Sequence, residues 1–97
     1  MEHRHFLVIP PHFDGNNYAY WKVRMKAFLK SIDERVWNSV EYGWEKPTTP
    51  VSEWETYQKE AALFNSKAMN AIFNVVSMEE FNRISNVEVV HTTWNIL

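Results

Sequence analysis

The 97-residue chain contains no cysteine and only two glycines. Without thiols there is no disulfide staple and no thiolate chemistry. Gly15 and Gly43 are too few and too far apart for a phosphate-binding loop, and no Gly-x-Ser-x-Gly segment presents a serine nucleophile. No apolar run approaches the roughly 18 residues of a membrane span, so no membrane partner is expected. The start, Met1-Glu2-His3-Arg4-His5, carries an acid and leads into only four apolar residues before Pro10, a pattern unlike a signal peptide. Ten basic against twelve acidic residues leave a net charge of −2, with no global pull toward nucleic acid or anionic lipid. A cytoplasmic or nuclear location fits these absences.

Aromatic residues are plentiful: five Trp, six Phe and four Tyr. Their large apolar bodies partly compensate for a length near the low end for a self-sufficient core. Residues 1–12 read as an extended arm, because Phe6-Leu7-Val8-Ile9 has strand-like composition and Pro10-Pro11 prevents its continuing as a helix. A lone short strand cannot hold itself, so the arm is expected to lie along helices or to pair with another chain. Residues 13–97 read as one helical domain.

Asp14-Gly15 signals a turn, and Asn16 or Asn17 is placed to cap a helix over about 17–31. Trp21, Met25, Phe28, Leu29 and Ile32 then recur on one face of a 3.6-residue period. A short second helix over about 33–42 carries Val36, Trp37 and Val40, and Gly43 ends it. Pro47-Thr48-Thr49-Pro50 centres a loop. Ser52 with Glu55 has capping-box spacing and predicts a long third helix over about 53–75. Its buried side is predicted to hold Tyr57, Ala61, Phe64, Ala68, Ala71, Ile72 and Val75. Ser77 with Glu80 repeats that spacing and starts a fourth helix to about Ile84. Residues 87–97 balance strand-favouring valines against the helical spacing of Val90, Trp94 and Leu97, and we take a helix from about 87. The expectation is an all-α fold, a small bundle of about five helices with an extended N-terminal arm. Its abrupt apolar end, with no cap and no polar tail, predicts a domain cut short at its C-terminal side.

Little in the sequence carries chemistry. His3, His5 and His12 share a flexible arm, His91 is distant, and a metal site needs converging ligands on a rigid frame. Acid pairs such as Asp33-Glu34 and Glu79-Glu80 sit at helix starts, where the macrodipole favours them. Neither an enzyme, nor a cofactor, nor a metal, nor a small-molecule substrate is expected.

Two patterns point to partners instead. Lys22, Lys26 and Lys30 form a stripe beside the apolar face of the first helix, and with Arg24 they give +4 with no acid between Asp14 and Asp33. They either contact nucleic acid or an acidic partner, or lay their stems over the core edge. Tyr20, Val23 and Ala27 lie roughly opposite the Trp21 stripe, and Leu63 lies off the apolar face of the third helix. Either the domain wraps the first helix on both sides, or these residues, with Phe6 and Val8 of the arm, meet another chain.

The ordered set Phe13-x-Gly15-x-Asn17-Tyr18-x-x-Trp21-x-x-x-Met25-x-x-Phe28-Leu29, then Trp37, Val40 and Gly43, then Trp54, Ala61, Ala68 and Ile72, then Val90, Thr93, Trp94 and Leu97, covers nearly the whole chain. It resembles the N-terminal part of the Gag polyprotein of copia-type LTR retrotransposons, plant ones especially. The resemblance implies a helical capsid-like domain, a homo-oligomer that forms a particle shell around RNA. The RNA contact would lie in a Cys-rich zinc knuckle outside this chain. A Gag-derived host module that binds a protein or RNA partner is the alternative it implies. The matched residues are large and apolar and are expected as core: Trp21, Met25, Phe28, Leu29, Trp37, Ile72 and Trp94, with Phe64 beside them.

Overall fold

The computed structural model describes residues 11–97, and the first of these are fastened before any helix begins. Phe13 donates its N–H to the carbonyl of Val75 (2.7 Å) and accepts from the Ser77 N–H (2.9 Å), an isolated parallel pairing with Val76. Of the arm expected over 1–12, residues 1–10 lie outside the described residues.

The chain then turns at Asp14–Asn17. Asp14 Oδ1 accepts from the Asn16 N–H at 3.0 Å, and Gly15 takes φ +99°, open to glycine without steric cost. Helix α1 spans Tyr18–Ile32. Asn17 precedes it in the left-handed region (φ 53°) and its side chain makes no capping bond. The capping role expected of it is therefore not filled, because an N-cap oxygen reaches the helix N–H groups from extended backbone. Asn17 instead reverses the chain, at a φ that Asn tolerates better than most residues.

Helix α2 spans Glu34–Tyr42 and begins where α1 stops. Asp33 joins the two, accepting from the Arg35 N–H (2.8 Å) and forking onto the Arg35 guanidinium at 3.1 and 2.9 Å. The guanidinium bonds and then the backbone N–H lower its carboxyl from the ordinary 3.8 to about 2. The native state therefore binds the Asp33 proton more weakly than the unfolded chain. Its contribution to stability is complete above the ordinary value and disappears as pH falls toward 2. An NMR titration of the Asp33 carboxyl should have its midpoint near 2. In Arg35→Ala it should move part of the way back up, since the backbone donor stays.

Residues 43–55 are irregular apart from a single 3₁₀ turn, Val51–Glu53. The Trp54 indole donates to the Thr49 carbonyl (2.9 Å), and Trp54 itself is extended. Helix α3, Thr56–Phe73, thus starts later than Ser52 and Glu55 suggested. Glu55 is its N-cap, in a reciprocal capping box with Gln58. Helix α4 spans Met78–Ile84, with Ser77 Oγ accepting from the Glu80 N–H (3.3 Å). The Ser77 N–H goes to Phe13, and the Glu80 carboxylate takes Arg83 (2.7 Å), so the return half of the expected box is absent.

Helix α5, Val90–Ile96, completes five helices among the described residues, and the fold is all-α. Residues 87–89, expected as its first turn, are not helical: the Val87 N–H closes a turn onto the Ile84 carbonyl (3.0 Å) and Val89 is extended. The short α2 sits centrally, packing on α1, α3 and α5, while α5 also meets α3 and α4. The core between them holds Trp21, Met25, Leu29, Val36, Trp37, Val40, Ala68, Met69, Ile72, Ile84 and Val90. Phe28, Phe64 and Trp94, expected inside, are half-buried and pack against that core. Ile32 is exposed, and Tyr57 is 70% exposed, because each stands at a helix end where no other element covers the stripe.

Candidate interaction surface

The two faces of α1 have different fates. Trp21, Met25 and Leu29 are buried, and Trp21 continues a row of rings across three elements. Phe13 and Trp21 have centroids 4.7 Å apart, Trp21 and Trp94 5.5 Å, and Trp94 and Trp37 5.4 Å. The Trp21 indole N–H donates to the Pro11 carbonyl at 2.9 Å, so the buried Trp has its polar partner.

At 100° per residue, positions 20, 23 and 27 fall opposite that buried stripe. Tyr20 is 63% exposed, Val23 is 71% exposed and Ala27 is exposed as well. Among the described residues, nothing wraps this side of α1. Leu63 is also exposed but on α3, between Lys59 and Lys67 at helical spacing, so it is not one surface with α1 by sequence or by helix. Phe6 and Val8 lie outside the described residues.

The basic stripe resolves into individual contacts. Lys22 Nζ sits 4.6 Å from the Trp94 ring centroid and 4.9 Å from that of Tyr18. Lys26 Nζ lies 5.1 Å from the Trp37 ring, and Lys30 pairs with Glu34 at 3.6 Å. Their stems thus cover the edge of the aromatic row, and cation–π attraction holds the two heads over it. Arg24, on the outer side, lies over the Tyr20 ring (5.6 Å) and donates to its hydroxyl at 3.3 Å.

Sequence reasoning missed a second exposed surface, where residues 42–61 cross between α2 and α3. A cleft of about 310 Å³ there is lined by Arg35, Asn38, Tyr42, Trp44, Tyr57 and Phe64, among others. Tyr42 is 77% exposed on its wall. Tyr42 lies on the far side of α2 from the buried Val36, Trp37 and Val40, roughly 190° round at 100° per residue, so the helix itself directs it outward. No group of three or more His, Asp or Glu stands close enough to hold a metal ion among the described residues. No helix there is long and apolar enough to cross a membrane.

No protein-family model, no curated protein and no solved structure matches the chain.

Two further contacts show what holds these surfaces in place. Buried Asn65 donates from Nδ2 to the Glu88 carbonyl (2.7 Å) and accepts at Oδ1 from the Val90 N–H (2.9 Å), capping α5 from α3. Arg83 joins Glu80 to the Ile96 carbonyl (2.7 Å), tying α4 to the last turn of α5.

Proposed function

We propose that this chain is a non-catalytic self-association module, a Gag-like capsid domain whose copies build oligomers or a shell. The observation that carries this reading is the Tyr20–Val23–Ala27 stripe, exposed directly opposite the most deeply buried stripe of the molecule. A helix apolar on two sides leaves one side for an interface when its own fold covers only the other. The ordered resemblance to copia-type Gag supports the same reading. RNA would then be held by regions outside this chain.

A second reading is a host-derived module that recruits a protein or RNA partner. The cleft with exposed Tyr42 and Tyr57 supports it, since tyrosines combine apolar area with a hydrogen-bonding tip at low entropic cost. The Lys22 and Lys26 contacts favour this second reading less, because both side chains are already engaged with rings of their own domain.

Light scattering over a wide concentration range separates the two. The leading reading expects mass to rise with concentration, and Val23→Ser to reverse the rise without loss of helical signal. A wild-type chain that stays monomeric throughout ends the self-association reading.

A further inference from the structure

Lys22, Arg24 and Lys26 have no carboxylate partner among the described residues, whereas neighbouring Lys30 is paired with Glu34. Ring contacts hold these heads but leave their charge in place. The exposed α1 stripe is therefore flanked by two unneutralised cations, Lys26 on one side and Arg24 on the other, while Lys22 sits at the core edge over Trp94. A two-fold contact of α1 against α1 would bring two such sets together, and like charges across an interface oppose docking. The stripe needs a surface of opposite charge.

The same chain carries one. Residues 51–60 hold Glu53, Glu55 and Glu60 against the single base Lys59, and all three carboxylate residues are exposed. Val51 and Tyr57 stand exposed among them as apolar anchors. This segment leads into α3, and α2 packs on both α1 and α3. We infer that copies associate head to tail, the exposed face of α1 in one copy seating on the acidic 51–60 surface of the next. This rests on the self-association reading above and adds which surfaces meet. Such heterologous contacts close into rings or run on as filaments, according to the rotation between copies. A 15-residue helix is about 22 Å long, so one such face is small beside the roughly 800 Å² per partner of a standard interface. Each contact is individually weak, and added salt weakens it further by screening.

The test uses two variants of the whole chain, R24E/K26E and E53K/E60K, followed by sedimentation velocity. Each alone should associate at least about tenfold more weakly than wild type, since like charges now face each other. An equimolar mixture should recover the larger assemblies, because the two intact surfaces pair across the variants and so do the two charge-reversed ones. The quadruple variant, with both charges exchanged, should recover the larger assemblies. If R24E/K26E loses its helical signal through the Lys26–Trp37 contact, V23S/R24E takes its place. Wild-type behaviour of E53K/E60K, or a monomeric mixture while wild type assembles, overturns head-to-tail association and leaves self-association standing. A monomeric wild type overturns both.

Discussion

Trp21→Ala should lower folding stability by about 3–5 kcal/mol, the range for deleting a large buried aromatic. Trp21 is 1% exposed and stacks on both Phe13 and Trp94, so the void would open at the junction of three elements. The indole also holds the Pro11 carbonyl, and that acceptor would lose its partner. Small domains have total stabilities of only about 5–15 kcal/mol, so this single change removes a large share. Each kcal/mol moves the melting temperature of a domain this size by about 4–8 °C. Trp21→Phe keeps a ring between Phe13 and Trp94 but not the donor, and should cost roughly 1–2 kcal/mol. Urea unfolding followed by circular dichroism measures both. A loss below about 1 kcal/mol for the alanine variant would show that the site collapses freely and is not the packing centre described.

Asn65→Ala should cost about 2–4 kcal/mol, although it removes few atoms. The Val90 N–H, one of the four orphan donors of α5, would be left in the core, and the Glu88 carbonyl would lose its donor. Val89, the residue in the N-cap position, has no side-chain oxygen to replace it. No buried side-chain nitrogen or oxygen among the described residues lacks a partner, so no spare donor stands ready to substitute. Amide exchange should accelerate first at Val90 and along α5. Asn65→Asp makes a sharper test. Its carboxylate still accepts from Val90 but faces the Glu88 carbonyl without a proton, and burial raises its folded pKa above the unfolded value. The variant should therefore be least stable near neutrality and regain stability as pH falls through that raised pKa, where the protonated acid can donate. A flat difference from wild type across pH would contradict the clamp.

Both residues bear on how much could be read in advance. Trp21 was legible because its partners on α1 repeat at helical spacing, and that repeat reports which side is buried whatever lies against it. Asn65 was not. A polar residue on an otherwise apolar side looks like a break in the pattern, and its role depends on a segment 23–25 residues later being brought alongside. The later start of α5 has the same origin: the Glu88 carbonyl and the Val90 N–H are taken by a side chain instead of by a preceding helical turn. Ser52 misled for a local reason. Capping-box spacing occurs at both Ser52–Glu55 and Glu55–Gln58, and the Trp54 bond to Thr49 favours the second by holding Trp54 extended.

The surfaces divide in the same way. That α1 has two apolar sides and a basic stripe follows from side-chain order alone, because a helix fixes the angles between its own residues. Which side stays open, and that Lys22 and Lys26 lie over Trp94 and Trp37 instead of reaching outward, depends on where α2 and α5 sit. By itself the sequence determined the helical class, the places where helices begin and end to within a few residues, and the buried face of α1. Only the tertiary structure decided that the nine-residue α2 is the hub, that Asn65 caps a distant helix, and that Tyr57 remains outside. The physical reason is range. Periodicity and capping act within one or two turns, whereas burial and polar partnership depend on segments that meet only when the chain has closed on itself.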